Sequence, residues 1–388
     1  MTDLQPVQPF RLETLGSHEA LARVALHRGG AFDGADAVAI LPARDEAERI
    51  EATLRALLAE LAPGEGVVLV VNGSSDDTLA RSLALFEAGD APFLLLDVDW
   101  QPGRGSAPLA RRLALDLAFE LAPGAHLLSI DADTVVQPGW RDGYQAEFAG
   151  GAALVCGAIG FDPAEAALLP PTDEAAETVL RECRSAAREI EARLDPDPLN
   201  PWPHHGNIGG ANFGLRAGVY GAVGGLPVTS FGEDRALLRR VRALGLPVRF
   251  SEAPLVWTSC RLDGRARGGL SDELKRSRDE ADPLVDEALE PAEALERRIR
   301  ARRAFARAKE PGERARILTM LGLTPSQIEA VTAVAIPGEA WTLVEDLSPA
   351  LKRERLRRSQ LSAELPGLLR LLQAARESAA DPAGSNPA

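Results

Sequence analysis

Residues 127–133 are LLSIDAD, a mostly apolar run that ends in Asp131-Ala132-Asp133. In an extended strand, side chains two residues apart point the same way and lie roughly 6 to 7 Å apart. Two carboxylates directly after a strand can hold one hard cation, Mg²⁺ or Mn²⁺, between themselves and a diphosphate, because both ions favour oxygen ligands. The stretch therefore predicts a buried strand followed by a metal site.

Earlier apolar runs alternate with segments whose apolar residues recur every three or four positions, which is typical of βα units on a parallel sheet. Ligands of such sheets bind beyond the carboxyl ends of the strands. Each polar strand end alone is better explained as a turn or helix cap, but four acid-bearing ends together favour a site. The earlier runs are Ala37–Leu41, Val67–Val71 and Phe93–Leu96, and the helical segments are Ala47–Leu61, Thr78–Phe86 and Leu109–Leu121.

Bulk composition narrows the class of protein. The 388 residues carry a formal net charge of −14, which disfavours nonspecific binding to nucleic acid. The three cysteines have no metal-type spacing and fit a reducing compartment. No stretch reaches the roughly 18 apolar residues of a transmembrane segment, so we expect a cytoplasmic protein. Arginine-rich helices near the C-terminus leave peripheral membrane contact open, although a solvated face is the better interpretation.

Four motifs occur in a characteristic order: ILPARDEAERI at 40–50, VNGSSDDT at 71–78, DAD at 131–133 and GED at 232–234. In order, spacing and strand context they resemble the family 2 glycosyltransferases, inverting enzymes with a GT-A-type fold. The resemblance covers roughly residues 37–260 and is more specific than any single motif. It implies an α/β protein with a mixed, mostly parallel sheet flanked by helices, to which this chain adds a C-terminal helical extension. It also implies a hexosyltransferase-type enzyme of class EC 2.4, which moves a sugar from a nucleotide-diphospho-sugar to a hydroxyl acceptor.

The resemblance assigns roles to individual residues. Asp131 and Asp133 are similar to the metal motif, and Asp234 matches the catalytic base, with Glu233 kept as the alternative. The family often has two acids where this chain has Val71-Asn72, and the second commonly contacts uracil. UDP is therefore the first choice of nucleotide and GDP the second. The implied nucleotide-sugar contacts are Pro42, Arg44, Glu46, Asn72, Arg104 and Asp131.

Two further segments suggest binding roles. The loop before Gly209-Gly210 carries aromatic and imidazole groups that commonly contact sugars, so Trp202, His204, His205 and Asn212 are predicted to bind the acceptor. The basic segment with Arg265 and Arg267 either folds over the donor diphosphate or is a solvated linker.

The assignment of Asp234 as base also has a chemical argument, because inverting transfer needs a carboxylate to accept the hydroxyl proton. Its competing interpretation is a helix cap.

The predicted organisation has five parts. They are a lead-in segment (1–35) with one helix at Ser17–His27, a nucleotide-sugar-binding half (36–150), an acceptor-binding and catalytic half (151–270), a helical extension (271–376) and a disordered tail (377–388). A non-catalytic nucleotide-sugar-binding protein is the main alternative. A sugar nucleotidyltransferase is weaker, because no Gly-rich loop follows Leu41.

Overall fold

The structure is a computed structural model that describes residues 8–169, 173–262, 264 and 270–380. The chain forms two compact units, which are described one at a time. The first comprises Met1–Leu169, Asn207–Val241 and Leu246–Lys275, and the second comprises Pro170–Gly206, Arg242–Gly245 and Arg276–Ala388. The predicted α/β class, with a mostly parallel sheet flanked by helices and a helical C-terminal region, is confirmed.

A sheet of nine strands, counted over the described residues, forms the centre of the first unit. The strands are β1 Leu21–Gly29, β2 Ala37–Ala43, β3 Gly66–Asn72, β4 Phe93–Trp100, β5 His126–Ile130, β6 Thr134–Val136, β7 Leu154–Phe161, β8 Asn212–Arg216 and β9 Val248–Thr258. Their spatial order is β1-β4-β3-β2-β5-β8-β7-β9-β6.

Strand direction brings several carboxyl ends to one edge of this sheet. Strands β4, β3, β2 and β5 are mutually parallel, and so are β7 and β9. Strand β8 is antiparallel to both β5 and β7, so these two strands point the same way. The residues that follow β2, β3, β4, β5, β7 and β9 therefore lie along the same edge, which we call the carboxyl edge.

The central strands are buried because helices cover the sheet. Strands β2 (AVAILPA) and β3 (GVVLVVN) are buried at every position, as expected for parallel strands with both faces covered. Ile50, Leu54, Trp140 and Phe148 pack into the same core cluster. The helices are α1 Ile50–Glu60, α2 Thr78–Glu87, α3 Ala107–Leu121, α4 Trp140–Ala149, α5 Pro163–Ala166, α6 Glu174–Leu194, α7 Ala217–Ala222, α8 Glu233–Ala243, α9 Leu270–Asp279, α10 Ala292–Arg307, α11 Pro311–Met320, α12 Pro325–Thr332, α13 Pro337–Leu347 and α14 Leu361–Ala380.

The second unit is helical over its described residues and has two apolar cores. One lies among α6, α10 and α14 and includes Leu180, Ile299 and Leu368. The other joins α10 to α13 and includes Phe305 and Val344. Among the described residues, no helix is both long enough and apolar enough to span a membrane.

The lead-in segment differs from its prediction. The helix predicted at Ser17–His27 is wrong, because a 3₁₀ helix at Leu12–Ser17 precedes strand β1 there. Strand β1 pairs antiparallel with β4 and covers the edge of the sheet. Residues Leu21–Gly29 form a strand because they pair with β4, some 70 residues away in the chain, and local residue preferences do not reveal such a distant partner. Strands β6 and β8, which have three and five residues, were not predicted either.

Candidate functional site

Acidic residues from separate loops meet at the carboxyl edge. Asp131 and Asp133 directly follow β5, and Glu46 follows β2. Arg261, which follows β9, contacts two of these acids. The site therefore combines residues that are more than 200 positions apart in the chain.

Asp133 sits in a crowded acidic environment. Its carboxylate is 17% exposed and lies 3.1 Å from Nη2 of Arg261. Burial, together with the charges of Asp131 and Glu46, raises the pKa of Asp133 to about 7, while Arg261 opposes the shift. Negative charge at Asp133 is thus only partly balanced within the protein.

Arg261 is held by two acids and by the loop that carries it. Its guanidinium forms a bidentate ion pair with the buried carboxylate of Glu46, with one contact, from Nη1, of 2.7 Å. The preceding loop is fixed by Glu165, which accepts from the hydroxyl of Ser259 at 2.6 Å and from the backbone N–H of Cys260 at 3.0 Å. Arg261 therefore bridges Glu46 and Asp133 from an anchored loop.

Glu46 is positioned by contacts between the loops after β2 and β3. Its backbone N–H donates to Oγ1 of Thr78 at 2.8 Å. Asp45 adopts a left-handed conformation (φ 52°) and accepts from the backbone N–H of Ser75 at 2.8 Å. Asp76 accepts from the backbone N–H of Ala47 at 3.0 Å. The VNGSSDDT motif thus fixes the loop that presents Glu46.

A buried arginine that the sequence did not single out joins the two halves of the site. Arg111, in α3, donates to Asp131 at 2.6 Å and to Glu233 at 3.1 Å. It also donates to Oγ of Ser129 at 2.6 Å and to the carbonyl of Gly210 at 2.8 Å. Burial alone would lower the pKa of Arg111, but the charges of Asp131 and Glu233 raise it well above the usual range. Arg111 therefore stays charged and links Asp131 to the start of α8.

Glu233 and Asp234 open helix α8 but have different partners. Glu233 is engaged by Arg111, whereas the Asp234 carboxylate accepts from the backbone N–H of Arg235 at 2.7 Å. Burial raises the pKa of both carboxyl groups, and the charge of Arg111 opposes the shift at each. A carboxylate with a raised pKa that is not committed to a buried arginine is suited to accept a proton.

The predicted nucleoside contacts have varied surroundings. Pro42 is buried in β2, and Arg44 is exposed, 3.8 Å from Asp45. Asn72 is buried, and its Oδ1 accepts from the indole N–H of Trp100. Arg104 is half-buried in the turn after β4, where its backbone N–H donates to the carbonyl of Gln101 at 2.9 Å. These residues follow or end β2, β3 and β4, so they lie along the carboxyl edge.

The predicted acceptor residues divide into two groups. Trp202, His204 and His205 belong to the second unit, where the rings of the first two make an edge contact with centroids 5.9 Å apart. Asn212, in the first unit, is fully buried. Its Oδ1 accepts from Trp140 at 2.9 Å and Tyr144 at 2.7 Å, and its Nδ2 donates to two backbone carbonyls. We therefore assign Asn212 a structural role and remove it from the acceptor site.

Arg265 and Arg267 lie outside the described residues, so their predicted contact with the donor stays a prediction.

The carboxylates fit a divalent cation that is shared with a substrate. Within the described part of the chain, no group of three or more His, Cys, Asp and Glu side chains is arranged to hold a metal ion. Mg²⁺ is commonly bound by one or two carboxylates, with substrate phosphates and water completing its coordination. Asp131 and Asp133 match that pattern, and the acidic charge around Asp133, which Arg261 balances only in part, favours a cation.

Comparison with known proteins agrees with the motifs. Residues 38–217 match the model of glycosyl transferase family 2, which confirms the resemblance over this region. No curated protein sequence matches the chain.

The similar solved structures have low sequence identity to this chain. A mannosyltransferase from Pyrobaculum calidifontis in complex with GDP-Man and Mn²⁺ has a TM-score of 0.43 and 15% identity, covering 92% of this chain and 79% of that one. S. aureus TarS 1-349 in complex with UDP-GlcNAc has a TM-score of 0.42 and 15% identity, covering 90% and 93%. Glucosyl-3-phosphoglycerate synthase from Mycobacterium tuberculosis, with Mn²⁺, UDP-Glc and phosphoglyceric acid, has a TM-score of 0.39 and 18% identity, covering 63% and 79%. Similarity at this level does not identify a substrate.

Proposed function

We propose that this protein transfers a sugar from a nucleotide-diphospho-sugar to a hydroxyl acceptor, with inversion at the anomeric carbon. One observation carries the proposal. Arg111 holds both Asp131, on the metal side, and Glu233, beside the proposed base. A donor diphosphate at Asp131 and Asp133 and an acceptor at Asp234 would therefore occupy neighbouring positions, as a single-displacement reaction requires.

In this proposal the two aspartates and the base divide the chemistry. Asp131 and Asp133 would hold Mg²⁺ or Mn²⁺, and the bound ion would stabilise the charge that develops on the leaving nucleoside diphosphate. Asp234 removes the proton from the acceptor hydroxyl. Glu233 is the weaker candidate for the base because Arg111 already engages it. Its carboxylate instead orients the start of α8.

Asn72 bears on the choice of nucleotide. An indole N–H can only donate, so the atom of Asn72 that meets Trp100 is the amide oxygen. The amide N–H₂ group is then the part that can donate to a base carbonyl. Uracil and guanine both carry such carbonyls, which keeps UDP as the first choice and GDP as the second.

Trp202, His204 and His205 remain the proposed acceptor contacts, and Arg265 and Arg267 the proposed donor clamp. A cytoplasmic location and a peripheral membrane contact likewise stay predictions.

A thermal-shift panel tests the donor assignment. The melting temperature of the full chain is measured with UDP-, GDP-, ADP- and dTDP-sugars, with and without Mn²⁺, because a ligand that binds the native state raises it. We expect a Mn²⁺-dependent rise with one nucleotide, lost in Asp133→Asn and kept in Asp234→Asn. No rise with any donor would favour a binding or scaffold protein that does not use nucleotide sugars.

The stereochemical claim has its own test. Once a donor and an acceptor are found, NMR of the product gives the anomeric configuration. Inversion is expected from a single displacement assisted by Asp234. A retained configuration would overturn the role of Asp234 as base.

A further inference from the structure

The carboxyl edge already contains a cation that competes for the proposed metal ligand. Arg261 lies 3.1 Å from Asp133 and pairs through both of its terminal nitrogens with Glu46. All three side chains are largely shielded from water, with exposed fractions of 16% for Arg261, 17% for Asp133 and 6% for Glu46. Shielding strengthens such contacts relative to exposed ion pairs.

We propose that Arg261 is a resident counter-cation that sets the metal affinity of Asp133, with Glu46 as the carboxylate that retains Arg261 when it releases Asp133. This inference rests on the proposed metal site. A guanidinium and a divalent cation cannot both neutralise the same partly buried carboxylate at full strength. The bidentate pair with Glu46 gives Arg261 a second partner, so releasing Asp133 does not leave a buried arginine uncompensated.

The anchoring of the loop supports this role. Glu165 fixes Ser259 and Cys260 just before Arg261, and it also pairs with Arg49 at 2.9 Å. The backbone therefore keeps Arg261 close to both acids, and only its side chain needs to move. The site accordingly favours a cation that brings further ligands with it, such as one carried by a nucleoside diphosphate, over a free metal ion.

The proposal is tested by titrating the full chain with Mn²⁺ alone and measuring the concentration of unbound Mn²⁺ by electron paramagnetic resonance. Arg261→Gln removes the competitor and is expected to tighten Mn²⁺ binding by about five- to tenfold, the scale of one partly buried ion pair. Glu46→Gln leaves Arg261 with Asp133 alone and is expected to weaken binding. The double variant should bind more tightly than Glu46→Gln, because the competitor is gone.

A matched control is available at the other edge of the sheet. Arg141 also contacts both carboxylate oxygens of a buried glutamate, Glu65, which precedes β3: Nη2 donates to Oε1 at 2.7 Å and Nε donates to Oε2 at 3.2 Å. Arg141→Gln removes an equal charge with similar burial and should leave Mn²⁺ affinity unchanged. An equal gain in Arg141→Gln would show a general charge effect and overturn the proposal.

The remaining outcomes separate this inference from the proposed function. If Arg261 only holds its loop, Arg261→Gln would lower the melting temperature and leave Mn²⁺ binding unchanged or weaker, which refutes the proposal. If Asp133→Asn abolishes Mn²⁺ binding while Arg261→Gln does not tighten it, only the inference fails. If Asp133→Asn binds Mn²⁺ like the wild type, the metal assignment and the inference fail together.

Discussion

Replacing Arg111 by Met tests the central contact of the site. The side chain is 4% exposed and makes four hydrogen bonds, to Asp131, Glu233, Ser129 and the carbonyl of Gly210. Methionine has a comparable length and no charge, so the change removes the contacts and keeps much of the packing. Glu233 would then remain in a buried position without its cation.

The expected loss of stability comes mainly from Glu233. Its side chain is 11% exposed, and breaking a buried ion pair by removing one partner costs roughly 3 to 5 kcal/mol. Asp131 is 36% exposed, so its share is about 1 kcal/mol or less. Arg111→Met also removes the hydrogen bonds to Oγ of Ser129 and to the carbonyl of Gly210, and burial of the apolar methionine side chain offsets part of that loss. We expect Arg111→Met to lower the free energy of unfolding by about 3 to 5 kcal/mol.

Urea unfolding followed by circular dichroism measures this loss. Arg112, the next residue of α3, is also buried, pairs with Asp116 at 2.8 Å and serves as the matched control. Arg112→Met should destabilise the fold but keep Mn²⁺-dependent donor binding. Adding Glu233→Gln to Arg111→Met should restore most of the lost stability, because no unpaired charge remains. A loss below about 1 kcal/mol, or no recovery in the double variant, would refute the reasoning.

Three other variants make separate predictions. Asp234→Asn should keep donor binding and lower turnover by at least about 100-fold. Because burial raises the pKa of Asp234, wild-type turnover should rise with pH through a value above the pKa of ordinary aspartate. If a Glu233→Gln enzyme lacks this rise, the role of base would be reassigned to Glu233. Asp133→Asn should abolish the effect of Mn²⁺ on the donor melting shift, and a persistent effect would place the metal elsewhere. Asn212→Leu leaves Trp140 and Tyr144 without their acceptor and should cost about 3 kcal/mol or more in urea unfolding; a neutral result would contradict the structural role.

The strand-end residues could be predicted because they break a clear local pattern. Asp131 and Asp133 interrupt an apolar run, and a Gly-rich loop precedes Glu233 and Asp234. Such signals lie within a few residues of each other. The parallel sheet then follows from the alternation of apolar runs and helical segments, which the structure confirms.

Arg111 was missed because an arginine in a helix usually marks a solvated face. A signal was nevertheless present in the segment APLARRLALDLAFEL, which is apolar on all sides of the helix. A helix of that kind is buried, so charged residues within it must be paired. Arg111, Arg112 and Asp116 are indeed all buried and paired. The identity of their partners could not be predicted, because Glu233 is 122 residues from Arg111.

Asn212, unlike Arg111, was predicted to contact a ligand but is a buried structural residue. Its Gly-rich surroundings suggested a ligand contact, yet it begins strand β8. The carbonyls that its amide reaches belong to Ala158 and Pro254, in β7 and β9. Those partners become neighbours only when the sheet forms, so no local pattern could predict them.

The buried amide of Asn212 has a consequence for the position of Arg111. All its hydrogen-bonding capacity is used, and its backbone N–H closes a turn onto Gly209 at 3.1 Å. That turn aims the Gly210 carbonyl at Arg111, and a Cβ at Gly210 would lie 2.5 Å from the guanidinium. The strands that hold Asn212 therefore help to position the Gly210 carbonyl that Arg111 contacts. A methyl group at position 210 would therefore require a shift of the Arg111 guanidinium, which contacts both Asp131 and Glu233.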